Sequence, residues 1–116
     1  MAEETWKMAA IALGLRFRRP DLTQEEVVVA TIRYMLPCFD IVARERGEDP
    51  PELDERRIEG RKGAVLQRLR DMEHKRVPFT KVVLGFYDPR VGLDMRPLIL
   101  DAVEAVMDTL PPAATN

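Results

Sequence analysis

The chain has 116 residues, 46% hydrophobic and 33% charged, with a formal net charge of −2 and a pI near 5.5. That size and make-up fit one compact domain spanning residues 1–116 around a single core. The acidic balance argues against a surface built wholly for phosphate, because such domains are usually strongly basic. Its single cysteine, Cys38, leaves no internal disulfide, and "MAEETW" carries no leader-like pattern, so a reducing, cytoplasmic setting is expected. The apolar stretch "MAAIALGL" falls far short of the roughly 20 residues that span a bilayer, so no membrane partner is expected.

A first helix is predicted over residues 3–17, with Trp6, Ala10, Leu13 and Phe17 recurring at three and four along one face. Pro20 disfavours helical geometry at Arg19 and ends it. "DLTQEEV" then writes a helix start: Thr23 is placed to cap the amide of Glu26, the Glu26 carboxylate reaches back, and Leu22 and Val27 take the staple positions. The second helix is expected over residues 24–46, stopped by Gly47. Pro37 gives no amide to the carbonyl of Arg33, which predicts a kink or split near Tyr34 to Pro37.

"GEDPPE" reads as a linker, residues 47–51, leading into a basic third helix over 52–75. Leu53, Ile58, Val65, Leu69 and Met72 share one side of that helix. In the region 79–87 the β-branched and aromatic run Val82 to Tyr87, bounded by Pro78 and Asp88-Pro89, reads as a strand. A lone strand needs a mate, supplied by a second copy or a partner unless Arg90 to Leu93 or an upstream segment provides one. A last helix over 95–110 is capped by Asp94, with Ile99, Val103, Val106 and Leu110 on one face, and residues 111–116 form a frayed tail. The expected class is therefore mainly α with a small β element (α+β): about four helices and one or two short strands.

The chemistry on offer is limited. There is no serine, one histidine (His74), one cysteine and a single asparagine at the last position. A serine triad is excluded outright, and a zinc site, which draws mainly on Cys and His, lacks ligands. Cys38, between Pro37 and Phe39, reads as a buried and inert thiol. His74, at a helix end, is explained by the favourable end of the helix dipole. No catalytic residue, metal or cofactor is assigned, and the chain is read as a non-enzyme.

One segment stands out for charge. From Arg56 to Arg76 there are eight basic and three acidic residues, a net of +5 in a chain whose total is −2. Inside it, Gly60-Arg61-Lys62-Gly63, followed by Leu66, Leu69 and Arg70-Asp71, resembles the signature segment of KH-type RNA-binding domains. The resemblance implies a tight loop in which the backbone at Gly60 and Gly63 approaches a sugar-phosphate chain and Arg61 and Lys62 meet its charge. Arg56, Arg57, Arg68 and Arg70 would extend that nucleic-acid contact. Glu59 departs from the pattern, standing where the family has an aliphatic residue. The competing reading is a continuous helix that tolerates two glycines, each costing about 1 kcal/mol against alanine.

With catalysis set aside, the expected role is regulation by protein contact. The chain is read as a small antiactivator or adaptor on a transcription regulator or another bacterial protein, with a homodimer as the expected assembly. Ile58, Val65, Phe79, Phe86 and Tyr87 are the candidate anchors, because interface energy concentrates in a few desolvated apolar groups.

Overall fold

The computed structural model describes residues 2–90 and 92–113. Five helices make up the chain, in the order α1 (Ala2–Arg18), α2 (Gln24–Glu45), α3 (Glu55–His74), α4 (Phe79–Leu84) and α5 (Arg96–Met107). Helix α1 is the centre of the fold and lies against each of the other four. Every residue from Met8 to Leu15 is buried, as expected of a helix that is apolar all round and so has no solvent face to keep. Ala9 and Ala12 are small enough to let neighbours approach on sides that the predicted single stripe left open. Phe17, assigned to that stripe, is instead 78% exposed.

Helix α2 starts as its sequence dictates. The Glu26 amide donates to Thr23 Oγ1 at 3.1 Å and the Thr23 amide donates to Glu26 Oε1 at 2.9 Å, while Leu22 and Val27 are both buried. Its other end is a Schellman stop. Gly47 takes φ +82°, its amide reaches the Arg44 carbonyl at 3.0 Å, and the Glu48 amide reaches Ala43 at 2.9 Å. The helix runs through Pro37 as one element, so of the kink or split expected near Tyr34 to Pro37 the split does not occur. Burial of Leu36 and Asp40 on either side of the proline holds it together, so packing offsets the missing hydrogen bond.

Helix α3 is capped by Asp54, which accepts from the Arg57 amide at 2.9 Å, and it buries Ile58, Val65, Leu66, Leu69 and Met72. It too ends in a Schellman arrangement: the Arg76 amide reaches the Glu73 carbonyl and the Val77 amide reaches Met72, both at 3.0 Å. Here the left-handed position, φ 55°, belongs to Arg76 rather than to a glycine.

The predicted strand is overturned, and the α+β class with it. Phe79–Leu84 is a helix, and the turn at Gly85-Phe86 leads into a two-residue antiparallel ladder, β1 (Tyr87–Asp88) with β2 (Leu93–Asp94). The ladder is too short to form a layer, and the domain is helical. The reason lies in spacing. Phe79, Val82, Val83 and Phe86 stand at i, i+3, i+4 and i+7, and all four turn inward against the core, which is the helical period. β-propensity, which mostly reports burial and packing, gave way to that context. Trp6 of α1 completes the corner, stacking on Phe86 with ring centroids 4.2 Å apart. Because the ladder's mate comes from the same chain, the strand supplies no reason for a homodimer.

Helix α5 buries Ile99, Ala102, Val103 and Val106. Asp94 accepts from the Arg96 amide at 3.0 Å and also grips the Arg96 guanidinium at 2.7 and 2.8 Å. Of the tail predicted over 111–116, residues 114–116 lie outside those described. Among the described residues no helix is long and apolar enough to cross a membrane.

Candidate functional site

The structure separates the predicted anchors. Ile58, Val65 and Phe86 are buried, so a partner cannot reach them without opening the core. Phe79 is partly buried. Tyr87 is exposed and carries the Arg96 guanidinium 4.6 Å from its ring centroid, a cation–π contact that fixes its orientation.

The predicted nucleic-acid segment is helix throughout. Gly60 and Gly63 lie inside α3 on its exposed side, where an added Cβ would meet nothing within 4 Å. The tight loop implied by the KH resemblance is therefore absent. Much of the positive charge around it is answered from within the chain. Arg57 forks onto Asp40 at 2.7 and 2.8 Å and donates to the Pro51 carbonyl at 2.8 Å. Arg61 meets Glu4 at 2.7 Å, and Lys62 meets Glu25 at 2.6 Å and Glu59 at 3.4 Å. Arg70 Nε reaches Gln24 Oε1 at 3.4 Å. Arg56 and Arg68 are exposed.

Of these contacts, Asp40–Arg57 is the buried one, with Asp40 only 4% exposed. The hydrogen bonds from Arg57 hold the Asp40 carboxyl below the usual carboxylate range, against the opposing pull of burial, and the same bonds raise Arg57. At the surface, the hydrogen bond between Lys62 and Glu25 raises the lysine and lowers the glutamate. Cys38 is half-buried rather than fully enclosed, its Sγ 3.5 Å from the Tyr34 carbonyl. His74 is exposed. Among the described residues no group of three or more His, Cys, Asp or Glu side chains is placed to hold a metal.

What the sequence did not reveal is a groove where α1 ends beside the α3–α4 turn, about 420 Å³ in volume. Leu13, Phe17, Val77, Pro78 and Phe79 supply its apolar wall. Arg16, Glu73 and Arg76 line it as well. Glu73 is engaged: Arg16 Nε donates to it at 3.2 Å and the Gln24 amide donates to its other oxygen. Arg16 also donates to the Leu22 carbonyl, so its guanidinium ties the end of α1 to both α3 and the start of α2. Arg76 has no partner among the described residues, and neither do its neighbour Lys75 or Lys81, which follows the lining residue Thr80.

The position of Phe17 follows from its sequence neighbours. It sits between Arg16 and Arg18-Arg19 in "RFRR", and Arg18 is drawn to Glu104 of α5 while Arg19 forks onto Asp21 at 3.0 Å. With charged residues on both sides bound at the surface, the aromatic ring between them is left facing solvent. An aromatic residue inside an arginine run was the signal available for this site. A second groove of about 450 Å³ lies between the start of α2 and the chain after α5, where Leu22, Val29, Ala30 and Leu110 face Glu25, Glu26 and Arg33. Neither family models, nor curated proteins, nor solved structures give a match to this chain.

Proposed function

We propose that this chain is a non-enzymatic protein-contact module, a small adaptor or antiactivator that occupies a surface of a larger protein. The observation that carries the reading is the groove beside Phe17. A large aromatic side chain 78% exposed at the lip of an apolar groove is the arrangement expected of an anchor awaiting a partner, since burying such a ring on binding is strongly favourable. Leu84, Tyr87, Leu98 and Leu100, on or near α4 and α5, are further large apolar side chains left exposed, as are Ile41 and Val42 of α2 and Leu53 ahead of α3. Such residues are unremarkable singly and informative when they gather.

Direct nucleic-acid binding through α3 is the weaker reading, because Arg57, Arg61 and Lys62 are already paired with carboxylates. A photo-crosslinking phenylalanine derivative at position 17, compared with the same group at exposed Gln67 of α3, tests the proposal in nuclease-treated and untreated cell lysate. A discrete protein adduct formed from position 17 alone, and surviving nuclease, is the expected result. Adducts lost on nuclease treatment, or identical from both positions, would overturn it.

A further inference from the structure

Resting on the protein-contact reading, we infer that the occupant of the groove is an acidic amphipathic helix of a partner protein, which lays its apolar side over Phe17 and Phe79 and its carboxylates toward Arg76, Lys75 and Lys81. Three observations meet here. The wall is apolar and contributed by two separate parts of the chain, α1 and the α3–α4 turn, so it is a shaped groove and not a single exposed side chain. Its charge is one-sided. Glu73, the acidic lining residue, is neutralised by Arg16, whereas Arg76 is unpaired among the described residues and exposed, with unpaired Lys75 and Lys81 adjoining the lining in the chain. An unpaired cation in the lining of an apolar floor, with two more cations next to it in the chain, favours a segment that is apolar on one side and negative on the other over a basic one.

The third observation is the backbone at Arg76. The left-handed position of a Schellman stop suits glycine, which fills the same place at the end of α2, and a larger residue is held there against a conformational cost. Arginine at that point sets a long cationic side chain at the mouth of the groove. Recognition of an amphipathic helix by an apolar groove needs anchors at helical spacing, and Phe17 with Phe79 supplies aromatic surface for more than one of them.

The inference is tested by fluorescence anisotropy with the full chain and labelled helical peptides. One carries leucine and phenylalanine at i, i+3, i+4 and i+7 with glutamate elsewhere; a second has lysine in place of every glutamate; a third has alanine in place of the apolar anchors. The acidic amphipathic peptide is expected to bind tightest, and Phe17→Ala, at an exposed position, to weaken it about tenfold or more. Arg76→Gly is expected to weaken it less and to flatten its salt dependence. That variant keeps the left-handed backbone while removing the whole cationic side chain from the lining, so a loss of binding cannot be put down to unfolding, which a thermal melt verifies. Equal binding of the acidic and basic peptides, or no effect of Phe17→Ala, overturns the inference. So does self-association in sedimentation that Phe17→Ala abolishes, since the occupant would then be a second copy of this chain. A protein adduct from position 17 without preference for the acidic peptide would leave the protein-contact reading standing and this occupant wrong; no protein adduct would remove both.

Discussion

Helices α1 and α3 lie against each other and are close in length, 17 and 20 residues, yet between their ends packing and charge hold them in different proportion. Helix α1 is held by shape: it is buried on all sides from Met8 to Leu15, and neighbours crowd its one glycine. A Cβ at Gly14 would stand 2.8 Å from Phe79 Cζ and 3.0 Å from Val103 Cγ2. Helix α3 is held by one apolar stripe and by charge, with Arg57, Arg61 and Lys62 reaching acidic partners on α1, α2 and its own first turns. Its two glycines touch nothing. The glycines that stand out in the sequence are unconstrained, and the inconspicuous one in "IALGL" is the one the packing requires.

Five variants would break or sharpen that contrast. The largest expected effect is on the charged side. Arg57→Met strips Asp40 of its partner while leaving it buried, and should lower unfolding free energy by about 2–3 kcal/mol in urea titration. The variant also changes the acid response. Arg57 depresses the folded-state titration of Asp40, so the stability linked to that depression is present above the unfolded value near pH 3.9. It is lost as pH falls through the lower, folded value. The wild type should therefore lose stability below about pH 4, and Arg57→Met should show a shallower loss there. High salt should leave the buried pair largely intact while weakening the surface Lys62–Glu25 pair and the exposed pair that Arg33 of α2 makes with Glu55 of α3 at 2.8 Å.

On the packed side, Gly14→Ala should cost about 1 kcal/mol net, because the shift forced on Phe79 and Val103 outweighs the helix propensity gained. A variant as stable as the wild type would mean that Phe79 swings aside freely into the groove. The same substitution at Gly63 should have the opposite sign, stabilising by up to about 1 kcal/mol, as should Gly60→Ala. Both would be read from shifts in the urea midpoint at constant slope. If Gly63→Ala destabilised instead, the open face of α3 would be covered in solution by a second copy of the chain. The smallest effect is expected at the end of α3, where Arg76→Gly should stabilise by about 0.5–1 kcal/mol by relieving a left-handed backbone.

How much of this could be read in advance depended on whether the signal was local. The Thr23–Glu26 capping box, the Gly47 stop and the inward face of α5 at Ile99, Val103 and Val106 are each written within a few residues, and each appears in the structure. Leu100, next to that face in sequence, is exposed, which is set by the neighbours α5 meets, a matter beyond its own sequence. Helix α1 was legible as a helix but not as a central one, because Ala9 and Ala12 are weak markers of burial, although small residues are what a central helix needs. Helix α4 was misread because its residue types favour strand while its spacing favours helix, and with Pro78 and Gly85 so close there was little length to arbitrate. The groove was illegible for a different reason: its walls come from Leu13 and Phe17 on one side and Val77 to Phe79 on the other, joined only by the fold.

The central position of α1 carries a consequence for biosynthesis. Of these five helices it leaves the ribosome ahead of the rest, and it depends on all the others for cover, α5 included. At ordinary translation rates the interval between the emergence of α1 and that of α5 is on the order of ten seconds. Throughout that time an apolar segment without a solvent-compatible face has no native site to enter. The nascent chain is thus expected to engage chaperones through Met8–Leu15 until α5 is complete, and conditions that slow elongation late in the message should lower soluble yield more than those that slow it early.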